Sequence, residues 1–198
     1  MYIDLRLFVE VADMLIDITL KITPEMLKDS QGNQNKALMG HLGTHFDVMN
    51  KEFPLEYTER KGIVFDVTQV TDRELDVADI DLSLVEKDMF VAFRSGFLEE
   101  VGYAGPRYFT QHPQLSDALI DALLERGVSI IGIDCAGIRR GKEHVPADQR
   151  CADRGTFVIE NLFDLKAVLE QGGVFTAHTY PMRFSGITGL PCRVIAEV

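Results

Sequence analysis

The chain has 198 residues, 46% of them hydrophobic and 26% charged, the balance of an ordinary globular protein able to bury a core without disulfide support. Lysine and arginine total 20 against 31 for aspartate and glutamate, a formal net charge of −11. Such a field repels phosphate backbones and anionic lipid surfaces and argues against nucleic-acid and membrane partners. Divalent cations remain compatible, because carboxylates are the hard ligands they prefer.

Three cysteines, Cys135, Cys151 and Cys192, form no CxxC pair and are odd in number, so they read as free thiols of a reducing compartment. The stretch from Met1 to Leu20 is broken by Asp4, Arg6, Glu10, Asp13 and Asp17. It reads as neither a signal peptide nor a membrane span, and a cytoplasmic location is expected.

In chain order, Leu15–Ile22 alternates as a half-buried strand does. Thr23-Pro24-Glu25 reads as a helix start and Asp29–Lys36 as a polar surface loop. Gly62–Val67 and Met89–Arg94 are strand candidates. Leu115–Arg126 has helical spacing with Gly127 placed to cap it, and Val128–Ile133 is an apolar strand of the kind covered on both faces. A charged stretch around Arg139–His144 leads into a helix running to Arg154. Thr156–Ile159 then reads as a strand, Leu162–Gln171 as a helix, and Gly173–Ala177 and Arg193–Val198 as closing strands. The alternation predicts an α/β fold with a mixed sheet, in a single domain over residues 1–198.

The chemistry concentrates in GHLGTHFDVMNKEF, Gly40 to Phe53. Two histidines four residues apart and a carboxylate two further on suit zinc, manganese or iron. On a helix, His41 and His45 would share a face but Asp47 would oppose them. Fully extended, His41 and Asp47 would stand about 20 Å apart. Only a bent strand or loop brings all three to one ion, and Gly43 gives the backbone freedom to bend. The bare spacing is also met by chance in unrelated proteins.

HLGTHFD resembles the HxGTHxD core of the cyclase family of metal-dependent hydrolases, which includes kynurenine formamidase-like and isatin hydrolase-like enzymes. Further segments match in order: Leu15–Thr19 resembles the opening strand, Phe93–Phe97 the RTGW segment, Ile131–Asp134 the IGID segment and Val158–Leu162 the IVENL segment. Pro181–Arg183 and Arg193–Val194 resemble the closing strands. The resemblance implies a swivelling β/β/α domain, usually dimeric, that hydrolyses a small N-formyl or cyclic amide with a metal-activated water. It implies a divalent metal, zinc or manganese, held by His41, His45 and Asp47 with Glu160 as a further ligand; Asp47 and Glu160 would bridge where two ions bind.

Two positions depart from the family. Its pattern continues HxGTHxDxPxH, ending in a general acid/base histidine, but here those positions hold Met49 and Lys51. The second-metal histidine, twelve residues before the glutamate, is replaced by Asp148, which stands as a candidate metal ligand in its place. These changes predict one ion rather than two, with Lys51 as a catalytic residue paired to Asp148 or Glu160 and supplying the positive charge that stabilises an oxyanion. The alternative for Lys51 is a solvated surface lysine. A metal-binding relative without hydrolytic activity is the alternative reading. His144, four residues before Asp148, could be delivered to the site, and His178 could reach the cleft. His112 reads as a solvated loop residue, Asp134 as a turn-capping group, and Arg94 as a structural arginine paired with a carboxylate. Cys135 reads as a core thiol without an adjacent base.

Overall fold

The computed structural model describes residues 14–20 and 40–198. The expected helix start at Thr23-Pro24-Glu25 and the loop at Asp29–Lys36 lie outside them. Among the described residues, nine strands form one sheet: β1 (Leu15–Asp17), β2 (His45–Asp47), β3 (Glu59–Asp66), β4 (Phe90–Arg94), β5 (Ile130–Ile133), β6 (Phe157–Glu160), β7 (Val174–Thr179), β8 (Gly189–Pro191) and β9 (Val194–Glu197). Their order is β1-β9-β7-β3-β4-β5-β6-β2-β8. Strands β3 to β6 run parallel, and every other pairing is antiparallel. The fold is α/β with a mixed sheet, as the alternation of elements predicts.

The parallel strands have apolar residues on both faces because both faces are covered. Val91, Phe93, Ile131 and Ile133 enter one core cluster, which also takes Leu115, Leu119 and Leu123. Phe90, Ala92, Ile130, Phe157 and Ile159 enter the other, with Phe46, Leu165 and Val168. Successive residues along each strand thus serve opposite layers, the two-residue period of extended backbone.

Five helices occur among the described residues: α1 (Phe97–Val101), α2 (Pro106–Gln111), α3 (Asp117–Arg126), α4 (His144–Asp153) and α5 (Leu165–Glu170). The α3 helix begins where Ser116 accepts a hydrogen bond from Leu119 N and ends at Gly127, in the left-handed conformation that favours glycine. Pro146 sits in the first turn of α4, where a missing N–H costs no intrahelical bond. No helix of the described residues is long and apolar enough to cross a membrane. The short elements α1, α2 and β8 are additional to those read from sequence.

Candidate metal centre

The site is built at the edge region of the sheet, where β2 lies between β6 and β8. Antiparallel register sets His45 directly opposite Glu160 and Asp47 opposite Val158. Because side chains alternate along β2, Phe46 enters the core while His45 and Asp47 share the other face. His41 precedes the strand. Gly40 and Gly43 both have positive φ, 78° and 68°, and the chain turns there so that His41 Nε2 comes within 2.8 Å of Asp47 Oδ1. The bend inferred at Gly43 is therefore present.

Several groups hold this turn. Gly43 N–H donates to the Tyr103 hydroxyl at 3.0 Å, and Asn161 Nδ2 donates to Gly43 O at 2.8 Å. The Thr44 hydroxyl donates to Asn161 O at 2.7 Å, and Tyr108 donates to the Asn161 side chain. His45 Nδ1–H donates to Gly43 O at 2.8 Å, which fixes the tautomer and leaves Nε2 as the ligand nitrogen. That Nε2 lies 3.7 Å from Asp47 Oδ2 and 3.6 Å from Glu160 Oε2. Sequence reasoning assigned no role to Asn161, Tyr103 or Tyr108. Asn161 follows the glutamate directly and has φ of 60°, but neither its side-chain partners nor its backbone conformation shows in a sequence.

A second group adjoins the first. On α4, His144 and Asp148 are one turn apart, with His144 Nε2 3.2 Å from Asp148 Oδ2 and 3.4 Å from Glu160 Oε1. Ligand atoms of His41, His45 and Asp47 lie within 4.8 Å of one another, as do those of Asp47, His144, Asp148 and Glu160. Asp47 belongs to both groups.

A divalent ion fits these residues. His45 Nε2, Asp47 Oδ2 and Asp148 Oδ1 are buried and have no hydrogen-bond partner among the described residues, a costly arrangement for a folded protein unless something else binds them. Burial pushes the His45 pKa down, toward the neutral form that a ligand requires. Asp47, though buried, is held below the usual carboxylate range by His45 and by its hydrogen bond with His41. Burial, reinforced by the charge of Asp47, pushes the Asp148 carboxyl well above that range. An added cation would relieve this repulsion.

The model for the family described as "Putative cyclase" matches residues 16–139. The chain belongs to the cyclase family. The matched region contains His41, His45 and Asp47 and ends before His144, Asp148 and Glu160. No curated protein matches the chain significantly. Among solved structures, a potential metal-dependent hydrolase with cyclase activity superposes with a TM-score of 0.71 at 21% identity, covering 94% of this chain and 98% of that one. A predicted metal-dependent hydrolase from Bacillus stearothermophilus gives 0.70 at 22% identity, covering 94% and 98%. Isatin hydrolase A from Labrenzia aggregata, bound to benzyl benzoate, gives 0.71 at 20% identity, covering 94% of each chain. At these identities the likeness is one of fold.

Three of the sequence expectations need correction in this cyclase-family chain, those for Lys51, His112 and Cys135. Lys51 does not reach Asp148 or Glu160: its Nζ lies 2.6 Å from Asp153 Oδ1, and both side chains are exposed. The cause is local. Met49, where the family has proline, has φ of 55°, a conformation closed to proline, whose ring holds φ near −65°. The turn after β2 therefore carries Lys51 outward to the last turn of α4, and the expectation of a single ion that rested on Lys51 loses its basis. His112 is not solvated but buried, and it lines a cavity of about 190 Å³ together with His41, His45, His144 and Glu160.

The remaining residues fall elsewhere. His178 lies on β7, paired with Glu197 at 2.6 Å, and does not join the cluster. Asp134 accepts hydrogen bonds from Ser95 N, Ser95 Oγ and Gly96 N at 2.9, 2.5 and 2.7 Å, a structural clamp between the ends of β4 and β5. Arg94 pairs with Glu99 at 2.9 Å. Cys135 is buried, but it does have an imidazole beside it: His112 Nδ1 is 3.6 Å from Sγ. Burial pushes the Cys135 thiol well above its usual range, so it is no nucleophile.

Proposed function

We propose that this chain is a metal-dependent hydrolase of a small amide, either an N-formyl amide or a cyclic amide. The observation that carries the reading is the ligand cluster opening directly onto the cavity. His41, His45, His144 and Glu160 line it together with Tyr103 and Phe109. A volume of about 190 Å³ suits a small substrate, and aromatic walls suit a planar one. Membership of the cyclase family and the fold shared with an isatin hydrolase support the same chemistry.

His41, His45 and Asp47 would hold a divalent ion there, and it would supply Lewis acidity and the means of activating a water for attack. The chain's own residues do the rest. The Gly43 carbonyl holds the His45 proton on Nδ1, and Asn161 fixes that carbonyl in place. His112 keeps its proton on Nδ1, where it donates to Pro113 O at 2.9 Å, leaving Nε2 for the cavity. Burial pushes its pKa down to about 4, so near neutrality it is an uncharged hydrogen-bonding partner for substrate rather than a store of positive charge.

The test is turnover by metal-loaded protein across N-formyl aryl amides, cyclic imides and lactones. Hydrolysis of an amide that disappears on chelation and returns with metal supports the reading. A metal-loaded sample inert across the panel, while an active formamidase turns over beside it, favours a metal-binding relative without catalysis.

A further inference from the structure

Of the four imidazoles that line the cavity, His41, His45 and His144 belong to the ligand groups, and His112 belongs to neither. Its place follows from the chain around it. A residue before proline is disfavoured in helical backbone, so α2 stops at Gln111 and His112 is extended, with φ of −61° and ψ of 151°. The ring is folded inward until only 1% of the residue is exposed. Arg140 pins the loop on both sides, its Nη1 donating to Thr110 O at 3.0 Å and its backbone N–H to Gln114 Oε1 at 2.7 Å.

The two ring nitrogens are placed differently. A carbonyl oxygen only accepts, so Nδ1, 2.9 Å from Pro113 O, carries the proton. Cys135 Sγ lies 3.6 Å from the same nitrogen and closes that side. Both contacts are made at Nδ1, and Nε2 makes none among the described residues. In the uncharged ring Nε2 is an acceptor. A buried acceptor at a cavity wall stays unsatisfied until a ligand brings it a donor, and a small amide has one to bring, its N–H.

We propose that His112 Nε2 accepts a hydrogen bond from the N–H of the ligand, which makes His112 the residue that selects secondary amides and lactams. An N-substituted amide leaves Nε2 buried and unpaired. An ester or lactone of the same shape sets its oxygen, a second acceptor, against Nε2. A site built to bond an N–H rejects the analogue lacking it far better than an apolar pocket rejects a missing methylene. Burial pushes the pKa of the ring down to about 4, so near neutrality no second proton occupies Nε2.

The inference rests on the amide reading proposed above for the identity of the ligand, but it is tested by binding, so the two can fail separately. The probes are oxindole and 2-indanone, bicyclic carbonyl compounds of the same shape that differ by N–H in place of CH₂. Their dissociation constants for metal-loaded protein are measured near neutral pH by titration calorimetry, where any ring opening shows separately as a steady heat. The wild type should bind oxindole at least about 10-fold more tightly than 2-indanone. His112→Asn keeps a donor for Pro113 O but puts nothing in the place of Nε2. It should lose most of that preference while binding 2-indanone as before, which also shows that its pocket is intact. Equal affinity of the wild type for the two compounds overturns the proposal, as does a preference undiminished in His112→Asn. A variant that loses both compounds in equal proportion overturns it too, since His112 would then shape the pocket without reading the N–H. If the preference is present and vanishes in the variant while no amide is turned over, His112 stands as the N–H acceptor and the hydrolase reading falls.

Discussion

His41 Nε2 and Asp47 Oδ1 lie 2.8 Å apart, although the segment between them, if extended, would hold them about 20 Å apart. The distance is closed by a turn whose Gly43 has φ of 68°, in the region where a Cβ costs roughly 1–2 kcal/mol. Gly43→Ala should therefore destabilise the protein by about that amount in urea denaturation and weaken metal binding at the same time. Unchanged stability and metal affinity would mean that the turn does not set the ligand geometry.

Metal removal should be visible in the melting curve. An ion that binds only the folded state stabilises it by about 2.7 kcal/mol at a concentration about a hundredfold above Kd. Chelation should lower Tm, and restoring the ion should raise it. In His45→Ala, which deletes the buried Nε2, the response should shrink or vanish. A wild-type melting curve indifferent to exhaustive chelation would remove the metal centre from consideration.

Lys51→Ala should leave metal content, turnover and thermal stability unchanged. Lys51 and Asp153 are exposed partners, and solvent-exposed ion pairs contribute little. A loss of turnover at constant metal content would restore a catalytic role to this lysine and contradict the outward course of the turn at Met49.

His112 predicts a particular pH dependence. Its pKa in the folded chain is about 4, depressed mainly by burial from an ordinary 6.5. The unfolded chain therefore binds the proton more readily. The stability contributed by the neutral buried ring is complete above pH 6.5 and is lost as pH falls through that window toward about 4. The full difference is on the order of 3 kcal/mol. His112→Asn keeps a donor for Pro113 O but no titratable ring, and its stability should fall less steeply with acid than that of the wild type. Parallel profiles for the two proteins would show that His112 does not carry this dependence.

The parts of the fold that sequence made visible are those with a strong period or a strong cap. The apolar runs of β4 and β5, and α3 between Ser116 and Gly127, bury enough regular surface for pattern alone to reveal them. Elements of three to six residues, such as β8, α1 and α2, are too short to show a period. At the site, His41, His45 and Asp47 are close in sequence and could be read together. Glu160 came from resemblance, because no local pattern encodes the register that sets it opposite His45. Lys51 was misplaced because the backbone at Met49 turns left-handed, which depends on the surrounding fold. His112, flanked by Gln111, Pro113 and Gln114, has a loop's composition, but it closes over a cavity assembled from distant segments.

The placement of β2 also sets an order of events. Among the described residues its sheet neighbours are β6 and β8, and one hydrogen bond that steadies its turn joins residues 118 positions apart, Gly43 and Asn161. The two-histidine segment therefore leaves the ribosome long before its partner strands β6 and β8 are made, and its sheet pairing must wait for most of the remaining chain. Contacts so distant in sequence form late, because closing long loops is entropically unfavourable until the rest of the sheet supports them. The ion's ligand set is complete only once Glu160 on β6 stands opposite His45, so the ion is not expected to seed folding as it does in a zinc finger. It is captured by a framework already standing, so metal supply during synthesis should govern how much protein is loaded rather than how much reaches the native topology.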